Sequence, residues 1–203
     1  MRRRVTKDGW TYIYEDTLKY EYELTAVRYV LGKQINESKR KALICIGINP
    51  STAIPTALDP TLARVQKYAI ESGEYNAWYM INIYPRRATD FNDLDDTDKN
   101  YKKELHLQNI KEIKGLLEKV KCADVWCAWG IHIEDSKRKF LKDLLWGNKE
   151  ENIQGIIDLF KGDYTFKAYK QTKKGFPAHP LHFGRNDRLK EIRLDKLHYS
   201  RTK

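Results

Sequence analysis

Leu43-Ile44-Cys45-Ile46-Gly47-Ile48-Asn49-Pro50-Ser51-Thr52 is a continuous apolar run that ends abruptly in glycine, proline and small polar residues. Such a run reads as a strand buried on both faces of a parallel sheet, closed by a tight turn. Ligands of open α/β sheets sit beyond the carboxyl ends of the strands. Gly47, Ile48, Asn49, Pro50, Ser51 and Thr52 are therefore expected at the mouth of a site.

The segments around this run alternate between strand and helix patterns. Upstream, Trp10-Thr-Tyr-Ile-Tyr-Glu15 and Lys19-Tyr-Glu-Tyr-Glu-Leu-Thr25 alternate apolar with polar side chains, which predicts an N-terminal β-hairpin turning near Glu15-Asp16. Downstream, Asp59-Pro60 supplies a cap and a first-turn proline for a helix carrying Leu62, Val65, Ala69 and Ile70, with Gly73 as its stop. Trp78–Tyr84 and Ala123–Gly130 read as further buried strands, and Thr165–Tyr169 as a fourth. One or two amphipathic helices are expected over Asp98–Val120, further helices over Ser136–Leu145 and Ile153–Phe160, and a basic helix over Arg188–Leu197. The expected fold is one α/β domain: a three-layer α/β/α sandwich around a central, mainly parallel four-stranded sheet, with residues 1–40 as a strand-rich extension and 41–200 as the core.

The chain has 203 residues, enough for one sizeable core, and 41% are hydrophobic. Its 38 Lys+Arg against 28 Asp+Glu give a net charge of +10, which favours a polyanionic partner. Cys45, Cys122 and Cys127 are odd in number and lack metal spacing, so they read as reduced core residues. No run approaches the ~18 apolar residues that would span a bilayer. A cytoplasmic monomer with no membrane association is expected.

If the four strands are parallel, their following loops gather at one edge: Asn49, Ser51 and Thr52; then Asn82, Tyr84, Arg86, Arg87 and Thr89; then Trp129 with His132; then His179, Pro180, Leu181 and His182. Amides, imidazoles and arginines suit a planar heterocycle and its phosphates. No phosphate loop, nucleophile elbow, paired-cysteine motif or His-Glu-x-x-His is present, so neither a metal nor another cofactor is expected.

Gly47-Ile-Asn-Pro50 is similar to the first motif of the mismatch-specific uracil/thymine branch of the uracil-DNA glycosylase superfamily. Asn82-Ile-Tyr-Pro-Arg-Arg-Ala-Thr89, Trp126-Cys-Ala-Trp-Gly130 and Ala178-His-Pro-Leu181 resemble its later motifs, in the same order. A closer resemblance is to domain-of-unknown-function family 1643, through Asn49–Ala53, Asp59–Arg64, Asn82–Thr89, Cys127–Gly130 and His179–Leu181.

The glycosylase resemblance implies hydrolysis of an N-glycosidic bond in DNA carrying a damaged, mismatched or modified base. Asn49 would orient the water and His179 would hydrogen-bond the departing base. Leu181 would fill the gap left by the flipped nucleotide, while Arg86 and Arg87 would hold phosphates. Each residue has a plainer alternative. Asn49 can bond its own turn, His179 can be an ordinary loop residue, and Leu181 can be core. Either arginine can lie on a solvated turn, and Tyr84 and Trp129 can stack on a base or fill the core. Asp59 can be a helix cap or a general base, and Arg64 is placed to pair with it. Two other functions stay open: a non-catalytic nucleotide or nucleic-acid binding module, and a hydrolase of free nucleosides or nucleotides.

Overall fold

The computed structural model describes residues 2–15, 27–94 and 96–197. In chain order, β1 is Arg2–Lys7, β2 Trp10–Glu15, β3 Val27–Gln34, β4 Lys41–Gly47, α1 Pro60–Glu71, β5 Tyr75–Asn82, α2 Lys103–Leu117, β6 Cys122–Cys127, α3 Phe140–Trp146, β7 Asp163–Ala168 and β8 Lys190–Glu191. All eight strands belong to one sheet, in the order β1-β2-β3-β5-β4-β6-β7-β8.

This corrects the expected architecture. The sheet is mixed and eight-stranded rather than a four-stranded, mainly parallel sheet in a three-layer sandwich. Its antiparallel junctions are β1–β2, β2–β3, β3–β5 and β7–β8, against parallel β4–β5, β4–β6 and β6–β7. The physical reason lies in β3. Val27 through Leu31 are buried without a break, so this strand needs cover on both faces and cannot form a flap over an existing sheet. It joins the sheet instead, with Leu31 opposite Met80 of β5.

β2 is a strand as its period-two pattern predicts and pairs antiparallel with β3; the turn assigned near Glu15-Asp16 and the expected second strand, Lys19–Thr25, fall outside the described residues. A second hairpin was not expected. β1 pairs with β2 through a two-residue loop in which Asp8 and Gly9 both have positive φ, 51° and 78°, the backbone of a tight hairpin turn. The basic helix expected over Arg188–Leu197 does not form. Lys190 and Glu191 add a short strand to β7, and Leu194–Lys196 makes a single 3-10 turn. Charged residues without a continuous apolar stripe give a helix nothing to bury, so edge pairing wins. Similarly, only Ile157–Leu159 of the expected Ile153–Phe160 helix is helical, again as a 3-10 turn.

β4 shows why the centre of the sheet holds. Leu43 and Cys45 face one side, among Trp78, Met80, Trp126 and the Leu62, Val65 and Ala69 stripe of α1. Ile44 and Ile46 face the other, among Ile81, Val125 and residues of α2 and α3 such as Ile113, Leu117, Leu141 and Leu144. Each such aliphatic side chain contributes roughly 1.5–3 kcal/mol by leaving water. α1 begins as its sequence dictates: Asp59 accepts a hydrogen bond from the Leu62 amide at 2.9 Å, and Pro60 occupies the first turn. Ile70, expected on the apolar stripe, is 55% exposed.

Near the strand starts, Asp124 of β6 is buried, and its Oδ2 accepts from Tyr75 Oη at 2.8 Å and Lys167 Nζ at 2.7 Å, with Lys41 Nζ at 2.9 Å. Burial alone would raise the Asp124 pKa, but these donors together hold it below the usual carboxylate value. All three cysteines are free thiols, two of them buried. Among the described residues, no helix is long and apolar enough to cross a membrane.

Candidate functional site

The hydrogen-bond ladder continues past the strand ends and stitches the four loops together. The Ile83 and Tyr84 amides donate to the Gly47 and Ile48 carbonyls, and Ala88 to Pro50, each at 2.9 Å. Ala128 donates to Ile46 and Gly130 to Pro177, each at 3.0 Å. Gly130 turns the chain with φ 63°, a conformation that favours glycine. Gly47 is required for a different reason. A Cβ there would lie 2.6 Å from Met80 Cε and 3.1 Å from Asn82 Oδ1, so glycine lets those side chains cross β4.

Asn49 is half-buried, and its side-chain NH2 is anchored. Nδ2 donates to the Ala88 carbonyl at 3.1 Å and to the Pro50 carbonyl at 3.3 Å. With the amide turned this way, Oδ1 accepts nothing from the described residues. Asn82, at the end of β5, is fully buried, and neither Oδ1 nor Nδ2 of its side chain has a partner among the described residues. An amide in that state costs about 1–3 kcal/mol unless a ligand or water satisfies it.

His179 caps the Pro180–His182 turn, its Nδ1 accepting from the Leu181 amide at 3.4 Å, while its carbonyl accepts from Tyr169 Oη at 3.2 Å. Burial, then the like charges of His182 and His132, lower its pKa to about 4 against the opposing pull of Asp59. The imidazole is therefore neutral at pH 7. With Nδ1 accepting, the ring proton resides on Nε2. Leu181 beside it is 42% exposed and so is not a core residue, whereas Pro180 is buried.

The two arginines after β5 are already engaged. Arg86 Nη1 lies 3.1 and 3.0 Å from the two oxygens of buried Asp96, which also accepts from Tyr84 Oη at 2.9 Å. Arg87 donates to the Ser51 carbonyl at 2.6 Å, to Tyr12 Oη at 2.5 Å and to the Ala53 carbonyl at 3.3 Å. It ties the Ser51–Ala53 loop to β2. Tyr84 and Trp129 are fully buried, packed edge-on against Phe140 and Trp146, so they fill the core. Asp59 caps α1, and Arg64 donates to the Phe183 carbonyl at 2.5 Å rather than pairing with Asp59. Ser51 is half-buried, while Thr52 and Thr89 are exposed on the rim.

Three side chains near the site escaped the sequence reading. Arg28 of β3 is 1% exposed and donates from Nη1 to the Ala53 carbonyl at 3.1 Å; its signal was a lone charge inside Ala26-Val-Arg-Tyr-Val-Leu31. Asp96 and Arg138 lie in loops with no motif. Arg138 Nε bonds the Leu94 and Asp96 carbonyls at 3.1 Å each and its guanidinium sits over Phe91, and Phe91 in turn stacks on exposed His132 with ring centroids 4.3 Å apart. Among the described residues, no group of three or more His, Cys, Asp or Glu is placed to hold a metal ion.

Residues 28–181 match the model of the family described as a protein of unknown function (DUF1643), and the chain belongs to that family. The matched stretch contains every candidate site residue, from Gly47 to Leu181. No curated protein matches the chain, and no solved structure does, so the resemblance to uracil-DNA glycosylases rests on the motifs alone.

Proposed function

We propose that this member of the family is a glycosylase-like hydrolase that cleaves the N-glycosidic bond of a damaged, mismatched or modified base in DNA. One observation carries the reading: on loops that follow strands of the same sheet, Asn49 has its NH2 fixed and its carbonyl without a described partner, and His179 is neutral with its proton on Nε2.

Glycosidic cleavage passes through an oxocarbenium-like sugar. The C1′–N bond breaks with its electron pair going to the base, and a water oxygen bonds to C1′. Asn49 Oδ1 accepts a hydrogen bond from that water and aims its lone pair at C1′; the proton the water loses passes to solvent. His179 Nε2–H donates to a carbonyl of the departing base and stabilises its negative charge without having to be protonated. Asn82 supplies an unpaired donor and acceptor for the edge of a heterocycle. Exposed Leu181 is placed to fill the vacated stack. Arg86 is spent on Asp96, so contacts to the flanking DNA phosphates fall to exposed Lys170, Lys173, Lys174 and Arg185.

A second reading, a binding module that does not cut, is favoured by Asp59. The carboxylate nearest in sequence to Asn49 has Oδ1 committed to the α1 cap, which leaves the water without a strong base.

The test is alkali-revealed strand cleavage of end-labelled DNA carrying uracil, mismatched thymine and modified bases. Cleavage by the native protein that falls by about a hundredfold or more in Asn49→Ala, with DNA binding retained, is expected. Absence of cleavage on every substrate, alongside DNA binding that weakens steeply with salt, would select the binding module.

A further inference from the structure

Behind the Ser51–Ala53 loop, two guanidinium groups share one acceptor. Arg28 Nη1 and Arg87 Nη2 both donate to the Ala53 carbonyl, at 3.1 and 3.3 Å. Arg87 makes its other bonds to the Ser51 carbonyl and Tyr12 Oη, so every acceptor the pair uses is neutral. Among the described residues, neither arginine has a carboxylate within ion-pair distance. The nearby Asp59 feels Arg28 only through space, and its Oδ1 is taken by the α1 cap.

This arrangement is costly as it stands. A buried charge normally has a counter-charge, because desolvation of an unpaired ion is expensive, and here a second cation stands beside it. Burial first, then the charge on Arg87, push the Arg28 pKa down to about 10, with Asp59 and Tyr12 opposing. Arg28 Nε is sealed from solvent without a partner, and Nη2 also donates to no described residue. Compare Asp96, Glu112 and Asp124, buried carboxylates that each have at least one cation within 3.0 Å. The Arg28–Arg87 pair is the place where the same accounting comes out one anion short.

We propose that Arg28 and Arg87, together with the Ser51 and Thr52 rim, form a binding site for an oxyanion, specifically the phosphate of a nucleotide-type ligand. A phosphate supplies several acceptors to the unused guanidinium donors and neutralises both charges at once. Half-buried Ser51 and exposed Thr52 add hydroxyl donors from the solvent side. Arg87 holds the Ser51 and Ala53 carbonyls and is followed by Ala88, whose carbonyl anchors the Asn49 amide, so a phosphate bound here would sit on the loop that carries Asn49. This assignment concerns the anionic part of the ligand and holds whether or not the bond to the base is cut.

The experiment is titration calorimetry of the full chain with inorganic phosphate, deoxynucleoside monophosphates and the matching nucleosides, on the native protein, Arg28→Met, Arg28→Lys and Asn49→Ala. Binding of phosphate and monophosphates is expected, with the nucleosides at least tenfold weaker than their monophosphates. Arg28→Lys, which keeps the charge but loses the fork, should weaken phosphate tenfold or more, and Arg28→Met should abolish it while melting no lower than the native protein without ligand. Asn49→Ala should bind phosphate normally, which separates this site from the hydrolytic reading. The proposal is overturned if neither phosphate nor any monophosphate binds, or if Arg28→Lys binds phosphate as the native protein does. It also fails if Arg28→Met unfolds in the absence of ligand and phosphate does not raise the native melting temperature, since Arg28 would then be structural.

Discussion

The two ends of the parallel strands treat buried polar groups in opposite ways. At the starts, Asp124 is surrounded by Tyr75, Lys41 and Lys167, all within 2.9 Å of one carboxylate oxygen. At the ends, among the described residues, Asn82 has neither amide atom bonded, Arg28 Nε has no partner, and Asn49 Oδ1 and His179 Nε2 accept or donate nothing. Both regions are made of the same strands and covered by the same helices. The difference is energetic: paired groups contribute to stability, whereas unpaired ones carry a desolvation cost that a ligand of the kind proposed would offset.

The largest effect should come from Asp124→Asn. Removing the charge from a buried hub leaves two lysines facing each other, and a loss of about 3 kcal/mol is expected in chemical denaturation. A loss below about 1 kcal/mol would mean that the strand-start cluster is as dispensable as the strand-end groups, and the contrast would collapse.

Acid should separate the two ends in sequence. His179 has a folded pKa near 4, below its ordinary value of about 6.5, so the unfolded chain binds the proton more readily. Its contribution is present above pH 6.5 and declines as the pH falls from there toward 4. The Asp124 pKa is also depressed, from an ordinary value already near 3.8, so its contribution persists through that window and is lost only below about pH 4. Unfolding followed against pH should therefore show a first decline removed by His179→Gln and a second removed by Asp124→Asn. Variants that swapped these two windows would contradict the assignment of His179 as neutral.

The smallest stability change is expected for Asn82→Ala. Deleting an amide with no partner should cost less than about 1 kcal/mol, or stabilise the fold slightly, because the lost packing is set against a removed desolvation penalty. DNA or nucleotide binding by the same variant should nevertheless fall tenfold or more. Loss of several kcal/mol of stability with unchanged binding would make Asn82 a core residue like any other.

Much of the strand-end geography was legible because its signals are local. The apolar run closed by Gly47 marked a strand end, that closed by Gly130 overran its strand by three residues, and Asp59-Pro60 marked the start of α1. The shape of the sheet was not legible. β1, Arg2-Arg-Arg-Val-Thr-Lys7, has no alternation of its own and exists through its register with β2. β8 is two charged residues that β7 recruits. Pairing across the chain decides such segments, and local propensity carries no record of it. The same holds for the site. Asn49 and His179 announced themselves beside prolines at strand ends, but the commitment of Arg86 to Asp96 joins a loop to a residue ten positions on, and Arg28 sat unremarked in a strand that otherwise reads as core.

The insertion of β3 beside β5 also sets a timetable for synthesis. β3 can pair with β2 as soon as both exist, yet its other neighbour follows only after β4 and α1 have been made. Until Asn82 leaves the ribosome, a strand destined for burial on both faces has one unsatisfied edge and two wet surfaces, the condition under which nascent chains pair wrongly. The opposite flank of that waiting ribbon is β1, where three arginines and a lysine among six residues repel a second copy. The cationic first strand thus guards the newborn chain before there is any finished sheet for it to edge.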